Sequence, residues 1–133
     1  MLVNTCLVIT GTAHLLQPPI TWFLATRLLG LPEDLERVTP LNRRILSIFM
    51  LALSGLLLSI GFLFALYPRE ALASAFGRGL CLILSLFWLA RSAAQQWLRA
   101  VWPANSVGRI WFRVLTALYA AFATSYFWIF LES

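Results

Sequence analysis

The feature that most constrains this chain is a set of long runs without a charged residue. Residues 1–26, 45–68 and 114–131 form runs of 26, 24 and 18 residues that contain no Asp, Glu, Lys or Arg. A helix needs about 20 apolar residues to cross the hydrocarbon core of a bilayer. Hydrophobic residues make up 61% of the chain and charged residues 11%, against about 45–50% and 25% in soluble domains. The sequence therefore predicts an integral membrane protein and excludes a soluble enzyme.

A fourth span is predicted at residues 79–98, where a membrane-like composition is interrupted by Arg91, Gln95 and Gln96. The predicted spans cover residues 2–27, 41–67, 79–98 and 107–131. The remaining length provides only three short connections, so residues 1–133 are predicted to form a single transmembrane domain. The predicted fold class is all-α, an integral membrane four-helix bundle.

The arginines predict the orientation of the bundle. All ten basic residues are arginines: Arg27, Arg37, Arg43 and Arg44 around the first connection, Arg69 and Arg78 around the second, and Arg91, Arg99, Arg109 and Arg113 around the third. Because basic residues are enriched in cytoplasmic loops, the first and third connections are expected in the cytoplasm and both termini on the outer, periplasmic side. The arginines form no basic run, so the net charge of +5 does not indicate a nucleic-acid partner.

The only histidine, His14, is predicted near the middle of the first span. One interpretation is a hydrogen bond to another helix, since polar groups in a membrane pack against one another. The alternative is a ligand of a haem or chlorophyll metal, or an acid–base group beside Arg91. Cys6 and Cys81 lie within predicted spans without a Cys-x-x-Cys pattern, so they are expected to be packing residues.

A polar pocket is predicted between the first and third spans. Arg91 and Gln95 are four residues apart and share one face of a helix, where a guanidinium and an amide suit an anionic or carbonyl group. His14 and Gln17 are expected at a similar depth. Pro18 and Pro19 leave the backbone carbonyls of His14 and Leu15 without donors, and Arg91 and Gln95 are expected to supply them. The alternative for Arg91 is a side chain that extends to the cytoplasmic headgroups.

Small residues in the second span predict where another helix approaches closely. Ser47, Ser54 and Gly61 recur every seven residues, and Gly55 and Ser59 form a small-xxx-small pair. We expect the second span to be central in the bundle, with Gly55 in contact with a neighbouring helix.

With these residues the chain resembles a set of small four-span bacterial integral membrane proteins with no known activity. The resemblance is carried by His14, by the segment Thr39-Pro40-Leu41-Asn42-Arg43-Arg44, and by Phe87-Trp88-Leu89-Ala90-Arg91 followed by Gln95. It implies His14, Asn42, Arg91 and Gln95 as site residues and a bacterial inner membrane as the location. It implies no substrate.

The hypothesis for function is a non-enzymatic inner-membrane protein, a small or accessory subunit of a larger complex, with a pocket for a lipid or quinone-like ligand. The expected ligand-binding residues are His14, Gln17, Asn42, Arg91 and Gln95, and the expected partners are membrane lipids and other subunits or copies of the chain. No catalytic residue or cofactor is assigned, because the spans contain no Asp or Glu and no serine nucleophile motif. The alternatives are a small enzyme or pigment carrier that uses His14 and an oligomeric channel or transporter.

Overall fold

The computed structural model describes residues 1–133, apart from the side chain of Val101. Its described residues are 90% helical and contain no strand, which confirms the all-α prediction. The helices are α1 (Leu2–Arg27), α2 (Leu31–Arg37), α3 (Pro40–Leu66), α4 (Pro68–Ala73), α5 (Ala75–Trp97) and α6 (Ser106–Glu132), with a 3₁₀ turn at Leu98–Val101 after α5.

Three helical segments are long and apolar enough to cross a membrane. They are Pro40–Leu66, which is α3, Ala75–Ala100, which is α5 with most of the 3₁₀ turn, and Ser106–Glu132, which is α6. The structure therefore supports a membrane protein with three candidate spans. Helix α1 is 26 residues long but is not among the three. Its polar residues Asn4, His14 and Gln17 lower its hydropathy, although no charged residue occurs before Arg27.

The long helices pack in two pairs, α1 against α3 and α5 against α6, and α1 also contacts α6. Arg78 Nη1 at the start of α5 donates to the carbonyl of Ser133 at 3.2 Å, so α5 begins beside the end of α6. The connections after α1 and after α5 therefore lie at the opposite end of the bundle. We call this the arginine-rich end, because Arg27, Arg99 and Arg109 lie there.

Short polar side chains start the helices that follow the connections. Asn42 N donates to Thr39 Oγ1 at 3.4 Å at the start of α3, where Pro40 fits the first helical position. Gly108 N donates to Asn105 Oδ1 at 2.7 Å at the start of α6. These caps allow the chain to reverse within a few residues, which keeps the long helices side by side.

The close contact between helices lies at Gly61, so the prediction for Gly55 is wrong. A Cβ on Gly61 would lie 2.9 Å from the carbonyl oxygen of Gly11, whereas a Cβ on Gly55 would meet no atom within 4 Å. Six residues at 3.6 per turn place Gly55 about 120° around α3 from Gly61. Gly55 and Ser59 are both exposed. Helix α3 is therefore at the periphery of the bundle, and it touches α1 through the face that carries Ser54 and Gly61.

Candidate functional site

His14 lies at the centre of the bundle and joins three of the long helices. Its side chain is 0% exposed. Trp88 Nε1 on α5 donates to His14 Nε2 at 3.1 Å, and Tyr126 Oη on α6 lies 2.9 Å from His14 Nδ1. The ring of Phe122 packs against the imidazole with centroids 4.7 Å apart. The contact between α1 and α5 expected from the sequence is thus made by His14 and Trp88.

The hydrogen bond from Trp88 determines which ring nitrogen of a neutral His14 carries the proton. Indole N–H is only a donor, so Nε2 of His14 must carry the lone pair and Nδ1 the hydrogen. Nδ1–H then donates to Tyr126 Oη. Both ring nitrogens have partners. An axial ligand to a porphyrin metal needs a free imidazole nitrogen, so His14 would have to give up its hydrogen bond with Trp88 to serve as one.

Arg91 lies in the second half of α5 and is partly buried. Its Nη1 donates to Gln95 Oε1 at 3.4 Å, as expected for positions four apart, and its guanidinium carbon lies 5.0 Å from the ring centroid of Tyr119. No Asp or Glu occurs in residues 71–131. Among the described residues the only ion pair joins Arg37 and Asp34. The positive charge of Arg91 is therefore met by an amide oxygen and an aromatic ring, without a carboxylate.

Three buried polar atoms on the described side chains have no hydrogen-bond partner: Gln17 Oε1, Gln95 Nε2 and Tyr119 Oη. The side chains of Gln17 and Gln95 are only 7% and 1% exposed. Gln17 Nε2 donates to Thr21 Oγ1 at 2.8 Å, which leaves its other amide atom free. Gln95 and Tyr119 both contact Arg91. Buried polar atoms without partners are uncommon, because each costs about 1–3 kcal/mol.

A cavity of about 360 Å³ lies between α1, α3 and α5 beside these groups. We call it the Arg91 cavity. It is lined by Gln17, Pro18, Thr21, Trp22 and Ala25 of α1, by Phe49, Met50, Leu53, Ser54 and Leu57 of α3, and by Phe87, Trp88 and Arg91 of α5. Its amide and its guanidinium come from α1 and α5, and α3 provides apolar side chains and the hydroxyl of Ser54.

The structure brings four of the five residues expected in the site close together, in different roles. Gln17 and Arg91 line the cavity, and Gln95 is bonded to Arg91. His14 lies behind Trp88 and does not line it. Asn42 is separate, since it is exposed in the first turn of α3 at the arginine-rich end.

The backbone carbonyls beside the prolines are not the partners of Arg91. Neither Arg91 nor Gln95 donates to the carbonyl of His14 or Leu15 among the described hydrogen bonds. The prediction that these side chains satisfy the freed carbonyls is therefore not confirmed. Helix α1 nevertheless continues through Pro18 and Pro19 to Arg27.

Sequence reasoning did not assign Trp88, Tyr119 and Tyr126 to the site. Trp88 falls in the polar stripe of the third span, three residues before Arg91. Tyr119 and Tyr126 are seven residues apart, so they share one face of α6. That spacing, together with the polar hydroxyl of each ring, is the signal that would have placed both tyrosines beside a polar centre.

No family model, no curated protein and no solved structure matches this chain. The resemblance to small four-span bacterial proteins therefore remains a prediction.

Proposed function

We propose that this chain is a non-enzymatic membrane protein that holds the polar head of an amphiphile, a lipid or a quinone, in the Arg91 cavity. One observation carries the proposal. The cavity has on its wall the guanidinium of Arg91, which has no carboxylate partner among the described residues. A charged side chain in a spanning helix costs up to about 2.5–3.5 kcal/mol to insert, the value at the helix centre. A ligand that accepts hydrogen bonds from it would offset that cost.

The polar groups define the chemistry of the head. Arg91 offers only donors. Gln17 adds no free donor, because its Nε2 already donates to Thr21 Oγ1. A carboxylate, a phosphate or a quinone carbonyl accepts from Arg91, whereas an ammonium head would face its positive charge. The ligand head is therefore an acceptor, anionic or neutral.

The apolar walls provide a path for the tail. Phe49, Met50, Leu53 and Leu57 of α3 line the Arg91 cavity. A second groove of about 640 Å³ lies between α1 and α3 and shares Pro18, Trp22, Met50 and Ser54 with it. Its remaining walls are mostly apolar, with Phe23, Leu51 and Leu58 among them. A hydrocarbon chain can extend from the head along these surfaces toward the surrounding lipid.

The protein purified in mild detergent is expected to retain one acceptor-headed amphiphile, detected by native mass spectrometry and identified after solvent extraction. Arg91→Leu is expected to lose it, because the guanidinium is the strongest donor in the cavity. Arg44→Leu is the matched control, since it removes the charge of an exposed arginine outside the cavity. Equal retention by both variants would contradict the proposal, and so would a preparation of the unaltered protein without any bound amphiphile.

We further propose that α1 is the fourth span, in a bacterial inner membrane. A helix of 26 residues is about 39 Å long, more than the roughly 30 Å of a hydrocarbon core. Its polar residues His14 and Gln17 face the bundle, while Ile9, Leu16 and Phe23 are exposed. The arrangement gives a lipid-compatible surface, and the arginine-rich end would then face the cytoplasm.

The orientation gives a direct prediction. A periplasmic reporter fused after Ser133 is expected to be active, and a cysteine at Glu36 is expected to be protected from an impermeant reagent added outside. Residue 36 is exposed in α2 at the arginine-rich end, so protection there reports the side of the membrane and not burial. A cytoplasmic reporter that is active at residue 133, or labelling at residue 36 in intact cells, would overturn this orientation.

The accessory role in a larger assembly is supported by the shape of α3. Residues 41–49 at its beginning are all exposed, including Leu41, Ile45 and Ile48. These exposed apolar side chains leave room for a partner helix or a second copy beside the first half of α3. Co-purification of a membrane subunit, or a dimer in mild detergent, is the expected result.

A further inference from the structure

A third cavity, separate from the Arg91 cavity and from the groove between α1 and α3, lies at the arginine-rich end in the connection between α5 and α6. Its volume is about 440 Å³. It is lined by Arg99, Ala100, Trp102, Pro103, Ala104, Arg109, Phe112 and Arg113. It shares no lining residue with the Arg91 cavity, so it is a separate site. We call it the arginine cleft.

The fold brings the three arginines together. Arg109 and Arg113 are one turn apart on the same face of α6. Arg99 comes from the 3₁₀ turn after α5, which the short connection places against the start of α6. Gly108 is required for this approach, because a Cβ there would overlap the carbonyl oxygen of Pro103.

The charges of the cleft are not neutralised by acidic side chains. Residues 71–131 contain no Asp or Glu, and none of the three arginines forms an ion pair in the described structure. Arg109 Nη1 donates to the carbonyl oxygen of Ala104 at 2.8 Å, which anchors this guanidinium at the rim. Three cationic groups around one cavity favour an anion, and guanidinium forks suit phosphate oxygens.

The cleft also has an aromatic wall. The rings of Trp102 and Phe112 meet edge to face, with centroids 6.0 Å apart, and both line the cleft. Aromatic rings beside arginines at a helix end are typical of the level where lipid headgroups meet acyl chains. A soluble phosphate would use the arginines alone, whereas a phospholipid would contact both the arginines and the rings.

From this combination we infer that the arginine cleft binds the phosphate of an anionic phospholipid headgroup, with the adjoining glycerol and acyl carbons against Trp102 and Phe112. The site is distinct from the Arg91 cavity and does not depend on a ligand being bound there. It anchors the end of the bundle that we assign to the cytoplasmic side, where anionic lipids attract basic residues.

The test compares a double variant with a matched control in lipid nanodiscs. Arg99→Gln/Arg113→Gln removes two charges from the cleft and leaves the bond from Arg109 to Ala104 in place. Arg27→Gln/Arg44→Gln removes two charges from the same end outside the cleft. Native mass spectrometry then counts the phosphatidylglycerol or cardiolipin retained from mixtures with phosphatidylcholine, and thermal melting and circular dichroism check that both variants fold.

The unaltered protein and the control are expected to retain the anionic lipid in preference to phosphatidylcholine, and this preference is expected to fall with added salt. The cleft variant is expected to bind it about fivefold more weakly for each arginine removed. Equal losses in both variants would mean that total charge and not the cleft attracts the lipid, which overturns the inference. Displacement of the lipid by millimolar inorganic phosphate would also overturn it, because the ligand would then be a free anion. A cleft variant that fails to fold is replaced by Trp102→Ala, which keeps every charge and is expected to weaken retention of the lipid.

Discussion

Gly61→Leu is expected to lower the free energy of unfolding by about 1–3 kcal/mol, whereas Gly55→Leu in the same helix is expected not to lower it. The first substitution places a side chain against backbone atoms of α1, since even a Cβ would lie 2.9 Å from Gly11 O and 3.0 Å from His14 Cβ. Backbone atoms of a packed helix cannot move aside without separating α1 from α3. The second substitution adds a side chain where no atom lies within 4 Å.

The measurement is the denaturation midpoint of each variant in the same detergent, by thermal melting or by titration with a denaturing detergent. Because both substitutions replace Gly by Leu within α3, they change hydrophobicity and helix propensity equally. Only the contact with α1 differs. Equal midpoints for the two variants, or a larger loss for Gly55→Leu, would mean that α1 and α3 do not cross at Gly61.

His14→Leu is expected to destabilise the bundle by about 1–3 kcal/mol, because it leaves a buried indole N–H and a buried phenol without their partner. The side chains concerned, Trp88 and Tyr126, are 1% and 0% exposed, so water does not replace the lost hydrogen bonds. Thr12→Leu on the exposed side of α1 is the control, since its hydroxyl bonds only to the carbonyl oxygen of Val8.

A double-mutant cycle separates the hydrogen bond from the loss of packing. Tyr126→Phe removes one hydroxyl and keeps the ring, so its effect should be smaller in the His14→Leu background than in the unaltered protein. Polar contacts between membrane helices are coupled by about 0.6 kcal/mol on average, with values to about 1.7. A coupling of zero would contradict the bond between His14 and Tyr126.

The helical fold follows from features that the sequence carries locally. The positions of the helices are predicted by side-chain chemistry alone, from the charge-free runs, the short connections and the Thr39-Pro40 start of α3. Which face of each helix turns inward depends on which other helix packs against it. Gly55 and Gly61 have the same chemistry, and only the position of α1 decides that Gly61 makes the close contact.

In the site, too, contacts within one helix can be predicted from the sequence and contacts between helices cannot. The pair Arg91 and Gln95 is visible as an i, i+4 pattern that places both side chains on one face of a helix, and in the structure a hydrogen bond joins them. The partners of His14 are 74 and 112 residues away along the chain. No local pattern links such positions, so Trp88 and Tyr126 were not assigned to His14 from the sequence. The arginine cleft likewise depends on the reversal of the chain between α5 and α6.

Photocrosslinking tests the central proposal, the binding of an amphiphile in the Arg91 cavity, most directly. The protein in membranes is irradiated with a fatty acid and with a quinone that each carry a diazirine near the head, and the modified residues are mapped by mass spectrometry. The account predicts modification at cavity residues such as Met50, Leu53 and Phe87, with a loss in Arg91→Leu but not in Arg44→Leu. Modification confined to the exposed residues Ile48, Leu86 and Leu89, and unchanged in Arg91→Leu, would show that the probes only sample the lipid-facing surface and would contradict the account.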